Sequence, residues 1–401
     1  MDKKIVLTGD RPTGNLHIGH FVGSLRERVK MQDTGEYEIY VLIADLQALT
    51  DNANNPERIK NSIMEIMLDY LAVGLSPDKV HFVLQSSVPA LSELTMYYMN
   101  IVTQARLERN PTVKAEIKTK GFEKSCPVGF MVYPISQASD ITAFGANIVP
   151  VGEDQKPMLE QTREIVATFN RLYGKNAGKA CNADNVGNAD NACNADNVGR
   201  VENIGNAGEV GSSDNVENPD NAENAERGIL VLPDGLYPPK NCGRLCGTDG
   251  NGKMSKSLGN CIYIKDDEET LKEKIIQMYT DPNHIKITDG GKVEGNVVFT
   301  YLDAFATNDD FAKYLPEYKN LEALKNHYRR GGLGDIKVKT FLFKILNELL
   351  RPMRERRSEY EKKPDEVRQY LRRGTEKAIA VTNKTLQNVR HAIGIYEITE
   401  E

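Results

Sequence analysis

The amino-acid sequence predicts an α/β protein, a doubly wound parallel sheet followed by an all-helical C-terminal part. Short apolar runs alternate with helical stretches in the N-terminal half, which is the signature of a parallel sheet with helices on both faces. After residue 265 no strand pattern remains and the periodicity becomes helical. Lysine and arginine also gather in that last region, although the whole chain carries a net charge of −6.

The elements follow in order. "KKIVLTG" (3–9) is a buried strand, and the Gly/Pro loop after it gives way to Phe21, Val22, Leu25 and Val29 at helical spacing. "EIYVLIAD" (38–45) is a second apolar strand and "KVHFVLQS" (79–86) a third. Between them, "NPERIKNSIMEIMLDYLAVGL" (55–75) has Pro56 in its first turn and apolar residues at 59, 63, 66, 67, 70 and 71, one face of a helix. "NIVPVGEDQKPMLEQTREIVATFNRLYG" (147–174) is a further strand–helix unit. Globular sequence resumes at "GILVLPDGLYP" (228–238), and "RRGGLGDIKVK" (329–339) is the main break among the later helices. Ligands of such sheets bind beyond the carboxyl ends of the strands, so the loop after the first strand lies where a nucleotide would sit.

Between these parts, 176–226 is almost all Asn, Asp, Glu, Gly, Ala and Val, repeating every six residues, as in "ADNV" (183–186), "ADNA" (189–192) and "VENI" (201–204). A hexapeptide β-helix would have this period. The short length, the frequent Ala and the lack of aromatics favour a disordered acidic loop. The expected organisation is a catalytic domain over 1–174 and 227–264, the repeat insert at 175–226, a helical domain over 265–385, and a helix end and tail at 386–401.

Composition narrows the class. The 401 residues, 40% hydrophobic and 27% charged, suit a globular protein of two or three domains. No apolar run approaches a membrane span, and "MDKKIVLTGD" enters a strand with no signal-peptide stretch, so a cytoplasmic protein without a membrane partner is expected. Cys242 and Cys246 form CxxxC with Cys261 beyond, but no fourth ligand completes a zinc or iron–sulfur set, and neither is expected. The cations between Lys325 and Lys377 fit a polyanion-binding face, and equally a solvated helical face with interleaved carboxylates.

Two short stretches carry chemistry. "PTGNLHIGH" (12–20) sets His17 and His20 three apart, yet no third ligand lies nearby for a metal. Gly14, Gly19 and a helix opening at Gly19–His20 instead suit an anion, since glycine admits a ligand to the backbone and a helix N-terminus favours negative charge. "GNGKMSKSLGN" (250–260) is a glycine-bounded loop presenting Lys253, Ser255, Lys256 and Ser257, apt for a triphosphate whose charge grows as pyrophosphate departs.

Together, "HIGH" (17–20) and "KMSKS" (253–257) resemble the paired signature of class I aminoacyl-tRNA synthetases. "TGDRPTG" (8–14), "QARLERNP" (104–111), "MVYPISQASDITAF" (131–144), "VPVGEDQ" (149–155) and "MYTDPNHI" (278–285) resemble segments of the bacterial-type tryptophanyl-tRNA synthetases, and the likeness spans nearly all the chain outside the repeats. The resemblance implies a Rossmann-type, HUP-like catalytic domain and a helical anticodon-binding domain. It implies a tryptophan–tRNA ligase that uses ATP with Mg²⁺, charges tRNA(Trp) and works as a homodimer. His17, His20, Lys253, Lys256, Ser255 and Ser257 become the expected catalytic residues. Arg11, Pro12, Thr13, Gly19, Gly152, Glu153, Asp154, Arg244, Leu245 and Met254 are expected to complete the ATP site. Asp140, on the helix after Tyr133 and Pro134, is expected to accept the indole N–H, Tyr133 and Gln155 to hold the α-amino group, and Val149 and Val151 to wall the ring. Many relatives carry Thr and Asn at the two histidine positions and Gln at Arg11. A tyrosyl enzyme would share the chemistry, and a non-catalytic tRNA- or nucleotide-binding regulator would share the fold.

Overall fold

The computed structural model describes residues 3–174, 228–237, 245–252, 254–396 and 398. The repeat insert, Lys253, Arg244, Cys181, Cys193, Cys242 and the side chain of Ser257 lie outside the described residues.

Five strands form one parallel sheet: β1 Lys4–Asp10, β2 Tyr37–Ile43, β3 Val80–Leu84, β4 Ile148–Pro150 and β5 Asp234–Leu236. Their order is β3-β2-β1-β4-β5, with Val6 opposite Ile39 on one side and Ile148 on the other. The order reverses between β1 and β4, and a crevice opens at such a switch point. Gly9 is fixed by close approach, because a Cβ there would lie 2.2 Å from the Leu42 carbonyl oxygen on β2.

The helices around the sheet are α1 Ile18–His20, α2 Arg26–Thr34, α3 Asp45–Leu49, α4 Pro56–Ala72, α5 Pro89–Met99, α6 Gln104–Arg109, α7 Pro111–Lys120, α8 Val128–Ala143 and α9 Lys156–Tyr173. Asn55 caps α4 by accepting the Arg58 N–H, and Pro56 stands at its first position, as the sequence pattern implies. Phe21–Leu25 is a π-helical turn between α1 and α2 rather than the regular α-helix the apolar spacing suggests. Helix α8 starts before Tyr133, not after it. Pro134 sits inside this helix, buried and tolerated by packing, so Tyr133 and Asp140 share one element.

Among the described residues six helices follow: α10 Glu268–Ile276, α11 Val297–Phe305, α12 Asn308–Tyr314, α13 Leu321–Arg330, α14 Asp335–Glu361 and α15 Pro364–Ile393. One apolar core runs from the sheet (Val6, Val41, Phe82) through Ile66 and Met67 of α4 to Leu342 and Leu346 of α14. A second covers the opposite face with α5, α8 and α9, and takes in Ala378, Leu386 and Val389 of α15. Helix α15 thus wraps the free edge of the sheet. A Cβ at Gly374 would lie 2.1 Å from the Phe82 carbonyl oxygen, and the Leu84 N–H donates to Thr375 Oγ1 at 3.0 Å. No helix among the described residues is long and apolar enough to cross a membrane.

Candidate active site

The chain leaves β1 at Asp10 and crosses the carboxyl end of the sheet to His17, the extended N-cap of α1 (φ −118°). The two histidine rings lie together, centroids 3.8 Å apart and tilted by 46°. His20 Nδ1 accepts the His17 backbone N–H at 3.2 Å, so a neutral His20 carries its proton on Nε2. Burial, with His20 and Lys256 nearby, pushes the His17 pKa down to about 2. Burial also takes His20 down to about 4 against the opposing pull of Asp10. Both rings are therefore neutral hydrogen-bonding groups at pH 7, not cations. His17 Nδ1 is buried with no partner among the described residues. A Cβ at Gly19 would lie 2.8 Å from that nitrogen and 3.2 Å from Met254 Sδ, so glycine is needed for the turn to close.

The lysine loop docks on this turn. The Ile18 N–H donates to the Ile262 carbonyl at 2.9 Å, and the Ile264 N–H to the Leu16 carbonyl at 3.1 Å. Lys256 Nζ donates to the Gly14 carbonyl at 2.7 Å, where the backbone has a φ of 119°. Burial lowers the Lys256 pKa to about 8. The Ser255 N–H donates to Asn260 Oδ1 at 2.8 Å, and Met254 is buried beneath the loop. This donor set suits phosphate oxygens. Among the described residues no group of three His, Cys, Asp or Glu is placed to hold a metal ion. Asp10 is already engaged. Burial alone would raise its pKa, but Arg28 at 2.6 Å and His20 outweigh it and hold it at about 2, with the Tyr70 hydroxyl donating at 2.8 Å.

The side of the crevice expected to take the amino acid is built from α8 and β4. Asp140 is buried, and both its oxygens accept from the Gln85 amide at 2.9 Å while Gln47 donates to Oδ2 at 2.6 Å. Burial raises its pKa to about 8, Gln85 opposing and Asp45 assisting the rise. The Tyr133 hydroxyl donates to Glu116 Oε2 of α7 at 2.9 Å, and burial raises its pKa. Val149 is buried in β4 and Val151 half-buried just after it. Gly152 leads into a short 3₁₀ turn, Glu153–Gln155, where the Thr112 hydroxyl donates to the Asp154 carbonyl at 2.9 Å. Gln155 is half-exposed and reaches Asp154 at 3.4 Å. Arg11 faces a carboxylate, Asp51 Oδ2, at 3.7 Å, and Lys120 pairs with the same oxygen. Pro12 is buried, the Thr13 carbonyl accepts from Arg58 at 2.8 Å, and Leu245 is buried at the edge of the apolar core.

The structure therefore joins His17, Gly19, His20, Met254, Ser255 and Lys256 around one turn. Tyr133 and Asp140 stand on one helix facing different partners. Sequence reasoning missed Gln47, Gln85 and Glu116. Asp45 and Gln85 each stand just past an apolar strand run, and polar residues at strand carboxyl ends are site candidates in this class of sheet. That signal was available. Glu116 had none.

The C-terminal cations also read differently in three dimensions. Lys325 pairs with Asp303, Arg329 with Glu294 and Glu322, Arg368 with Asp365, and Arg372 with Glu376. Lys339 is buried on the carbonyls of Ile276 and Met278, and Arg356 donates to the Ala72 carbonyl. Much of the basic excess is therefore paired or hydrogen-bonded within the fold.

Comparisons with known proteins fit this geometry. A family model described as tRNA synthetases class I (W and Y) matches residues 2–182 and 216–351. A tryptophan–tRNA ligase of Clostridium longisporum is 51% identical over 395 residues, 98% of this chain and 98% of that protein. One from Streptococcus mutans serotype c is 49% identical over 396 residues, 98% of this chain and 99% of that protein. A crystal structure of tryptophanyl-tRNA synthetase from Campylobacter jejuni, complexed with ADP and tryptophan, aligns with a TM-score of 0.71 at 25% identity, over 98% of this chain and all of that one. The chain belongs to the class I tRNA synthetases, in the tryptophan–tRNA ligase family.

Proposed function

We propose that this protein activates L-tryptophan with Mg²⁺-bound ATP and transfers it to the 3′ end of tRNA(Trp). The observation that carries the reading is the docking of the lysine loop onto the two-histidine turn, at the carboxyl end of β1 and beside a buried carboxylate. In the first step a tryptophan carboxylate oxygen bonds to the α-phosphorus while the bond to the β-phosphate oxygen breaks and pyrophosphate leaves. The attacking carboxylate is already nucleophilic, so the protein supplies position and charge rather than a base. Neutral His17 and His20 donate N–H bonds to phosphate oxygens without the desolvation cost of buried cations, and Lys256 brings the positive charge. Lys253, Ser255 and Ser257 belong to the same loop, with Arg11, Pro12, Thr13, Gly19, Gly152, Glu153, Asp154, Arg244, Leu245 and Met254 around the nucleotide. Mg²⁺ enters with ATP and is held by phosphate oxygens. A ribose hydroxyl of the tRNA terminus then attacks the adenylate carbonyl, and AMP departs.

Asp140 accepts the indole N–H, in a pocket walled by Val149 and Val151. Gln47 and Gln85 aim its oxygens, and an added indole donor favours the ionised form over the protonated one that burial promotes. Tyr133 and Gln155 take the α-ammonium. The helical part over 265–385 receives the anticodon limb of the tRNA, and the enzyme works as a homodimer in the cytoplasm. Amino-acid-dependent exchange of pyrophosphate into ATP, run over the twenty amino acids, tests the reading. Exchange with tryptophan alone is expected, and exchange driven by tyrosine, or by nothing, overturns it.

A further inference from the structure

Helices α4 and α14 meet beside the two-histidine turn, and a buried ion pair lies between them. Asp69, on α4, is fully buried, and its two oxygens serve different masters. Oδ1 accepts from Arg357 Nη1 on α14 at 2.6 Å, whereas Oδ2 accepts the backbone N–H of Leu16 at 2.7 Å. Leu16 is itself fully buried and immediately precedes His17. Arg357 uses four of its five N–H donors: besides the bond to Asp69, its Nε donates to Glu361 at 2.8 Å, Nη2 to Glu65 Oε2 at 2.7 Å, and Nη1 also to the Glu65 carbonyl at 3.3 Å. Asn15 joins the same cluster: with its amide oriented to satisfy both neighbours, it donates to Glu65 Oε2 at 2.6 Å and accepts from Lys265 at 2.9 Å.

We propose that Arg357 is a positioning residue for ATP activation, holding Asp69 so that its far oxygen fixes the backbone on which His17 and His20 are mounted. The inference rests on the phosphate-binding role given to that turn above. Two helices could be joined more cheaply by apolar side chains, because desolvating two charges costs as much as their attraction returns. What an apolar joint cannot supply is a stationary carboxylate oxygen pointing at the Leu16 N–H. The rigid, forked guanidinium meets Asp69 and Glu65 together, which a lysine ammonium does not reproduce. Because α14 belongs to the C-terminal helices, the Asp69–Arg357 pair ties those helices to the turn across 288 positions of sequence.

The experiment is tryptophan-dependent pyrophosphate exchange by the full-length chain, with melting temperature recorded alongside. The variants are Arg357→Gln, Arg357→Lys, Asp69→Asn and the double Asp69→Asn/Arg357→Gln. Arg357→Gln is expected to lower kcat/KM for ATP about tenfold while KM for tryptophan stays within about twofold. Arg357→Lys, which keeps the charge and folds if Gln does not, is expected to lose about threefold by the same measure. The double variant is expected to match the worse single, since both cut one chain of contacts. Glu361→Gln, which removes an Arg357 contact leading away from the turn, is expected to shift the melting temperature alone. The proposal is overturned if KM for both substrates rises together, if the losses multiply in the double variant, or if only melting temperatures change. A wild-type protein inactive with tryptophan sinks the functional reading instead, so the two failures are distinguishable.

Discussion

The two ends of the crevice, proposed above to take phosphate and indole, solve opposite problems with opposite means. At the phosphate end the ligand brings the charge, and the protein answers with imidazoles kept neutral by burial, a single described lysine at about 8 and an open glycine turn. At the indole end the ligand is apolar with one donor, and the protein buries a carboxyl clamped by two glutamine amides. One end waits with an unpartnered nitrogen on His17, while the other is satisfied before substrate arrives. Rate should therefore depend on the first end and selectivity on the second.

Breaking the indole end is expected to have the largest effect. Asp140→Ala strands the amides of Gln47 and Gln85 and the indole N–H together, and kcat/KM for tryptophan should fall on the order of a thousandfold. Titrating tryptophan at saturating ATP measures it, and wild-type exchange by this variant would remove Asp140 from the pocket. Next comes the phosphate end. Lys256→Gln should reduce kcat about a hundredfold with KM for tryptophan within twofold, because its charge counts most as pyrophosphate leaves. A rise in KM for tryptophan of similar size would erase the division of labour.

The smallest and sharpest test is pH. His17 falls to about 2 from an ordinary 6.5, so between these values the unfolded chain binds more protons, and stability rises with pH. Its contribution is present above 6.5 and lost on acidification. Asp140 rises from 3.8 to about 8, the native state binds more protons in that window, and stability falls as pH increases through it. Difference curves of unfolding free energy against pH, wild type minus His17→Asn and wild type minus Asp140→Asn, should slope in opposite directions. Each slope is at most about 1.4 kcal/mol per pH unit. Parallel curves would contradict the assignment.

The parallel sheet and the two phosphate loops were legible because they are local: apolar runs of strand length, and glycine, histidine and lysine within a few residues. The π turn at Phe21–Leu25 was not, since its apolar spacing matches an α-helix closely enough. Helices α5 to α8 went unassigned apart from the Tyr133–Asp140 stretch, for their apolar residues do not keep to one regular face. Side-chain partners across the fold were out of reach. Nothing near Asp69 in sequence names Arg357, and nothing near Tyr133 names Glu116. For the C-terminal cations composition left two readings open, because it counts cations without showing which carboxylates they meet.

The wrap of α15 over β3 has a consequence for how the protein is made. β3 is a terminal strand of the sheet, and its backbone groups at Phe82 and Leu84 are covered by Gly374 and Thr375, nearly 300 residues later. A growing chain emerging from the ribosome must carry that bare strand edge from β3 until α15 is made, open to pairing with any neighbour. Helix α15 is thus also the cover of the sheet's β3 edge, and the nascent chain lacks that cover until α15 has been made.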